Sequence, residues 1–168
     1  MRTIIVGCGR VGAGFAEVLS RAGHEVVIID ISTEAFTRLE PDFPGTAIRG
    51  DGTDEDVLRR AGTAEADYFF ALTEGDNRNT LAAQLAQETF RVANVVAKVN
   101  DPVRAEAFAA LGLSTLCRTT RLIDDLGRYA GLPALPGAGG VHVAPPHHDH
   151  RSEAQPATRA ADGVTREG

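Results

Sequence analysis

A glycine-rich turn between a predicted strand and a predicted helix is the feature that most constrains this chain. The apolar and β-branched residues 3–6 lead into Gly7-Cys8-Gly9-Arg10-Val11-Gly12, and residues 11–22 have the apolar periodicity of a helix. In a Gly-x-Gly-x-x-Gly turn, the first glycine permits a tight bend, the second lets a pyrophosphate approach, and the third lets helix and strand pack closely. The pattern predicts a phosphate-binding turn at a helix N-terminus. The alternative is a strand–helix turn that binds nothing.

An aspartate at the end of the second predicted strand supports the first interpretation. Residues 25–29 form an apolar strand that ends in Asp30, about 20 residues beyond the glycines. At that distance a carboxylate accepts hydrogen bonds from ribose hydroxyls. The negative charge of Asp30 favours an unphosphorylated ribose, because no arginine is expected nearby to offset a 2′-phosphate. The alternative is that Asp30 serves only as a turn or helix-cap residue.

Strand and helix signals alternate along the rest of the chain, which predicts a Rossmann-like, doubly wound parallel α/β sheet with strand order 3-2-1-4-5-6. The further predicted strands are residues 46–49, 68–72, 95–99 and 113–117. The further predicted helices are residues 31–41, 55–61, 79–90, 102–111 and 119–130, and residues 73–78 are predicted to form a polar turn.

Polar residues follow several of these strands. Parallel strands place their carboxyl ends at one edge of the sheet, so this edge should carry the glycine turn, Asp30, Asp51, Thr73 and Lys98. Ligands of open α/β sheets bind at that edge, where the strand order reverses. The sequence therefore predicts a ligand site there, although Asp51 alone is also compatible with a plain turn aspartate.

Composition excludes several classes of protein. The 168 residues carry a net charge of −6, and no segment is rich in Lys and Arg, which argues against nucleic acid as a partner. No apolar run approaches the length of about 20 residues that spans a bilayer. Residues 1–3 pass straight into the first strand and leave no room for a signal peptide. Two cysteines do not make a disulfide framework, so a cytoplasmic location is expected.

The composition changes at Pro133. Residues 133–168 are rich in Pro, Gly, Ala and His and lack periodicity, so we expect one domain over residues 1–132 and a disordered tail over residues 133–168. The cluster His147-His148-Asp149-His150 would hold a metal ion only weakly without a folded frame, so no metal site is predicted. Cys8 lies beside a predicted helix N-terminus that lowers thiol pKa values, which is compatible with thiol sensing, but a small apolar filler is the commoner role.

Several motifs occur together in one known family. The chain resembles the N-terminal RCK, or TrkA-N, domain over roughly residues 1–130. The Arg after the second glycine and the Gly-Asp-x-Thr-Asp turn are more specific than the glycines alone. The motifs are Gly7-Cys8-Gly9-Arg10-Val11-Gly12, Asp30, Gly50-Asp51-Gly52-Thr53-Asp54, Leu72-Thr73-Glu74-Gly75-Asp76-Asn77-Arg78-Asn79 and Val99-Asn100-Asp101-Pro102. Gly75-Asp76 stands where the family has an acidic pair, and Asn77 stands where it usually has Glu.

The resemblance implies a cytoplasmic domain that binds NAD(H), ATP or ADP and regulates potassium transport. The implied partners are the membrane subunit of a potassium transporter or channel and further copies in a homodimer or larger ring, with or without a second RCK subunit. The second ligand-binding domain usual in the family is expected to be missing, because the tail is short and polar. The implied phosphate, ribose, adenine and remaining edge contacts are Gly7, Cys8, Gly9, Arg10, Val11, Gly12, Asp30, Asp51, Gly52, Thr73, Glu74 and Lys98.

The sequence shows no set of nucleophile, base and orienting residue, so we expect a regulatory protein and not an enzyme. The alternatives are a small NAD-dependent oxidoreductase completed by another chain and a stand-alone nucleotide sensor.

The predicted last helix has an apolar stripe formed by Leu122, Ile123, Leu126, Tyr129 and Ala130. In the family that the chain resembles, this helix crosses to the partner subunit. The stripe therefore predicts a dimer contact, and the alternative is that it covers the sixth strand of its own chain.

Overall fold

The computed structural model describes residues 1–134 and 141–142, which form a six-stranded sheet with helices on both faces. The strands are β1 (Arg2–Val6), β2 (Glu25–Asp30), β3 (Thr46–Arg49), β4 (Tyr68–Ala71), β5 (Asn94–Lys98) and β6 (Thr115–Leu116). The α-helices are α1 (Arg10–Arg21), α2 (Glu55–Arg60), α3 (Asp76–Gln84), α4 (Pro102–Ala110) and α5 (Arg118–Tyr129). Short 3-10 helices cover Thr33–Arg38 and Thr63–Glu65, and a π-helical segment, Leu85–Thr89, extends α3.

The strand order is β3-β2-β1-β4-β5-β6, and every neighbouring pair is parallel. This confirms the predicted doubly wound sheet. The last residue of β1, Val6, lies in register with Ile29 of β2 and Ala71 of β4. The carboxyl ends of the three central strands are therefore level, and the segments that follow them meet at one edge.

Two hydrophobic layers hold the helices on the sheet. On one face, Ile5 and Ile28 pack in a cluster with Ala16 of α1. On the other face, Ile4 packs in a cluster with Leu58 of α2 and with residues of α3 and α4. Because β1 and β2 are buried on both faces, these strands are continuous apolar runs without polar alternation.

The predicted helix over residues 31–41 is wrong in type and length. Only residues Thr33–Arg38 are helical, and they form a 3-10 helix in which Ala35 is the buried residue. Leu39 is already extended, and Pro41 disfavours helical backbone in the residue before it. The helical segment therefore ends before the proline, and it takes the 3-10 form that is common in short connecting segments.

The polar turn predicted over residues 73–78 is shorter than expected. Helix α3 begins at Asp76, whose carboxylate accepts hydrogen bonds from the backbone N–H groups of Asn100, at 2.9 Å, and Asp101, at 3.2 Å. These bonds fix the first turn of α3 to the segment after β5. The partners are more than twenty residues away in sequence, so no local pattern could have indicated this start.

The edge strand β6 is only two residues long, shorter than the predicted strand over residues 113–117. Thr115 pairs in antiparallel fashion with His142, through N–H···O distances of 3.1 and 2.8 Å. His142 therefore contacts the sheet, although it belongs to the segment predicted to be a disordered tail. Residues 135–140 and 143–168, with the cluster His147–His150, lie outside the described residues. Each helix in the described part is too short or too polar to span a lipid bilayer.

Candidate nucleotide-binding site

Two glycines of the turn are required by the backbone itself. Gly7 has φ +105°, and a Cβ there would lie 2.8 Å from the Thr73 nitrogen. A Cβ on Gly12 would lie 1.9 Å from the carbonyl oxygen of Gly7. The turn is further fixed by the Gly7 N–H, which donates to the Ile29 carbonyl at 2.7 Å. Gly7 and Gly12 thus allow the chain to turn back tightly from β1 into α1.

Gly9 has a different role, because a Cβ there would meet no protein atom within 4 Å. Its backbone is extended, with φ −75° and ψ −174°, a conformation that any residue adopts. Gly9 is the N-cap of α1 and has no side chain to accept from the N–H groups of the first turn. These donors and the helix dipole face the open space, which is the arrangement that binds phosphate.

The glycine turn forms one wall of a cleft of about 510 Å³, a usual size for a small-molecule site. The cleft lies at the carboxyl edge, where the order of β1 and β4 reverses. Its predicted lining residues are Gly7, Cys8, Gly9, Arg10, Asp30, Gly52, Thr73 and Glu74. It is also lined by residues that were not predicted: Val6, Ile31, Ser32, Ala35, Arg38, Gly50, Leu72 and Arg78.

Four predicted site residues lie outside this lining. Val11 is half exposed in the first turn of α1, and Gly12 is packed against Gly7. Asp51 is exposed, and its carboxylate accepts from the N–H and the hydroxyl of Thr53 at 2.9 and 2.8 Å. These hydrogen bonds lower the pKa of Asp51, with a smaller contribution from the Arg78 charge. Lys98 is buried, and its Nζ lies 3.5 Å from Oε1 of the exposed Glu74.

Asp30 ties the glycine turn to the end of β2. One carboxylate oxygen accepts from the Cys8 N–H at 2.7 Å, and the other accepts from the Ser32 N–H at 2.9 Å. The structure thus shows the turn-stabilising role of Asp30. Each carboxylate oxygen has further acceptor capacity, so ribose binding is compatible with this role.

Arginines surround the cleft, and the expectation that none lies near Asp30 is wrong. Arg38, on the 3-10 helix after β2, lines the same cleft as Asp30. Its positive charge also acts on the neighbouring Cys8 thiol. Arg10 and Arg78 line the cleft from α1 and α3. Their charges favour an anionic ligand, and the argument against a 2′-phosphate from missing arginines does not hold.

The environment of Cys8 raises the pKa of its thiol, whereas the nearby helix N-terminus was expected to lower it. Burial and, after it, the negative charge of Asp30 raise the pKa of the Cys8 thiol to about 11. Its Sγ lies 3.4 Å from the Ala35 carbonyl oxygen, to which the thiol donates. The side chain is fully buried, so the neutral thiol acts as a packing group between α1 and the 3-10 helix.

Cys8 is therefore expected to resist alkylation in the folded protein. At pH 8, a thiol with a pKa about three units higher contains only about one thiolate in a thousand, and the thiolate is the reactive form. Iodoacetamide labelling, followed by peptide mass spectrometry, should modify Cys8 at least about tenfold more slowly in native than in urea-unfolded protein. Equal rates in the two states would show that the thiol is accessible and ionised.

The comparisons with known proteins agree with this geometry. The TrkA-N domain model matches residues 3–119. The "Trk system potassium uptake protein TrkA" of Streptomyces coelicolor is 41% identical over 152 residues, which are 88% of this chain and 68% of that protein. The TrkA homolog of Pyrococcus abyssi is 36% identical over 108 residues, 64% of this chain and 48% of that one. The chain thus spans about two thirds of the first relative and about half of the second.

A solved structure gives the same fold. The Kef CTD of Shewanella denitrificans in its AMP-bound form superposes with a TM-score of 0.67 at 25% identity, covering 77% of this chain and 79% of that one. The family model covers most of the described residues, and the Streptomyces protein is 41% identical to this chain. This chain therefore belongs to the TrkA-N domain family.

Proposed function

We propose that this chain is a nucleotide-binding regulatory subunit of a potassium uptake system and that it binds NAD(H), ATP or ADP in the glycine-turn cleft. The observation that carries the proposal is the open N-terminus of α1, which faces a cleft at the point where the strand order reverses. The name of the Streptomyces relative supports the link to potassium uptake. The AMP-bound state of the Shewanella relative supports an adenine nucleotide as ligand.

The lining of the cleft favours regulation over catalysis. Among the described residues that line it, there is no histidine or lysine to act as an acid or base in hydride chemistry. The thiol of Cys8 is held neutral by burial, and the Lys98 ammonium is buried beside Glu74. A ligand bound here meets groups that hold it and no evident group that transforms it.

We further propose that the chain dimerises through α5, alone or as part of a larger ring. Leu122, Leu126 and Tyr129 are 57, 60 and 95% exposed. The buried residue of the helix is Asp124, which pairs with Arg128 at 2.6 Å. The apolar side of α5 is thus exposed in the part of the chain that the structure describes, which supports a dimer contact over the alternative that the stripe covers β6. An apolar helix face of this kind is typical of a protein interface.

Regulation would follow from differential binding. A nucleotide that binds one arrangement of the two subunits more tightly shifts the population toward it, by no more than the difference in its affinities. The membrane subunit of a potassium transporter or channel would sense that arrangement, which places this chain at the cytoplasmic face through its partner.

Replacement of Gly9 by valine tests the proposed site. The added Cβ would lie in the space at the helix N-terminus with no protein atom within 4 Å, so the fold should persist. Affinity for the best-binding adenine nucleotide should fall at least about tenfold, or about 1.4 kcal/mol, in titration calorimetry with NADH, NAD, ATP and ADP. In cells of the native host, the same variant should alter potassium uptake.

Gly14→Ala is the matched control for this variant. Gly14 lies on the exposed side of α1, and a Cβ there also meets nothing within 4 Å. This control should bind nucleotide as the wild type does. Unchanged affinity of the Gly9→Val protein for every adenine nucleotide would place the site elsewhere.

A further inference from the structure

A buried asparagine holds the part of the cleft that lies beyond the glycine turn. Asn79, in α3, is fully buried. Its Nδ2 donates to the carbonyl oxygens of Thr73, at 2.9 Å, and Lys98, at 2.8 Å. Its Oδ1 accepts from the Thr73 N–H at 2.8 Å. The side chain thus fixes the segment after β4 to the end of β5.

These backbone partners determine which way the Asn79 amide points. A backbone N–H can only donate and a carbonyl oxygen can only accept, so Oδ1 must face the Thr73 nitrogen and Nδ2 must face the two carbonyls. If the amide were flipped, Oδ1 would face the two carbonyl oxygens and Nδ2 would face the Thr73 N–H group. Acceptor would then meet acceptor, and donor would meet donor. The orientation therefore follows from chemistry alone.

The same orientation assigns the proton of the Thr73 hydroxyl. Thr73 Oγ1 lies 2.7 Å from Asn79 Oδ1, which carries no proton, so the hydroxyl must donate there. The Gly75 N–H donates to the same Oγ1 at 3.3 Å. One lone pair of the hydroxyl remains. Thr73 is half-buried and lines the cleft, so it can offer a ligand an acceptor and no donor.

The neighbouring groups add to the difference between the two ends of the cleft, one of which accepts hydrogen bonds while the other donates them. Glu74, the next lining residue, carries a carboxylate that only accepts when ionised. The Lys98 ammonium lies behind it, buried and 3.5 Å from its Oε1. At the other end, the N–H groups that open α1 donate. The cleft therefore offers donors at the glycine turn and acceptors at Thr73 and Glu74.

We propose that Thr73, with its proton held by the positioning residue Asn79, makes the cleft selective for a nucleotide whose group beyond the pyrophosphate donates hydrogen bonds. The second ribose of a dinucleotide or of ADP-ribose is such a group, whereas a third phosphate offers only acceptors. This inference rests on the proposed function, because it takes the pyrophosphate to lie on the glycine turn. The lining arginines Arg10, Arg38 and Arg78 would favour a third phosphate, so the selectivity depends on the group of the ligand that reaches Thr73.

Titration calorimetry of the full chain with ADP, ADP-ribose and ATP tests the proposal. The wild type should bind ADP-ribose about three- to tenfold more tightly than ADP, which is the effect of about one added hydrogen bond. ATP should bind no more tightly than ADP. Thr73→Val should weaken ADP-ribose binding more than ADP binding, so that the advantage of ADP-ribose is lost, and Thr73→Ser should restore that advantage.

Two further variants separate this specific effect from a structural one. Thr63→Val removes another buried hydroxyl, which donates to the Leu58 carbonyl at 2.7 Å before β4, and should leave all three affinities unchanged. Asn79→Ala removes the acceptor of the Thr73 hydroxyl, which is then free to donate to a ligand. This variant should therefore lower the affinity for ADP-ribose relative to the affinity for ATP. Tighter binding of ATP than of ADP-ribose by the wild type, or equal loss of ADP and ADP-ribose binding in Thr73→Val, would overturn the inference. Failure of all three ligands to bind would overturn the proposed function and this inference with it.

Discussion

Replacing Gly12 by alanine is expected to lower the free energy of unfolding by about 3 kcal/mol or more. The added Cβ would lie 1.9 Å from the Gly7 carbonyl oxygen, and this neighbour is backbone, which cannot rotate away as a side chain does. Relief would require α1 to move away from the end of β1, where Ile5 and Ala16 share one hydrophobic cluster. Urea unfolding followed by circular dichroism measures the change.

Gly14→Ala is the matched control, because it makes the same substitution two residues further along the same helix. No atom lies within 4 Å of the added methyl group, and alanine favours helix over glycine. Gly14→Ala should therefore raise the free energy of unfolding by about 0.5–1 kcal/mol. Equal effects of the two substitutions would show that the close contact between Gly12 and Gly7 does not limit stability.

The second large effect is expected from Leu126→Asp in α5. Leu126 is 60% exposed on the apolar side of the helix and, in the proposed dimer, is covered by the partner subunit. A buried, unpaired carboxylate costs several kcal/mol, enough to dissociate a typical homodimer. The variant should be monomeric by light scattering at concentrations where the wild type is dimeric, and it should still bind nucleotide.

Val103→Asp provides the control for this effect. Val103 is 76% exposed on α4, so the substitution introduces the same charge at an exposed apolar position outside α5. The oligomeric state of this control should not change. A wild type that stays monomeric, with and without nucleotide, would contradict dimerisation through α5.

The sequence by itself determined the fold class and the place of the candidate site. The strand, the glycine turn and the helix at residues 1–22 are consecutive, so their pattern is local and readable. Alternating strands and helices restrict the topology to a few parallel sheets, and the strand order was predicted correctly. Gly7, Asp30 and Thr73 then meet at one edge, because every strand ends there.

Only the tertiary structure decided the chemistry inside the cleft. Arg78 reaches the lining from α3, whose first turn is fixed by the long-range contacts of the Asp76 carboxylate, and Arg38 reaches it from the 3-10 helix after β2. The pKa of Cys8 is raised first by burial and then by the charge of Asp30, and burial is a property of packing. Thr73 offers the cleft an acceptor because its hydroxyl donates to Asn79, whose amide is fixed by hydrogen bonds to the Thr73 and Lys98 carbonyls. Burial and hydrogen-bond direction depend on residues distant in sequence, so no local pattern contains them.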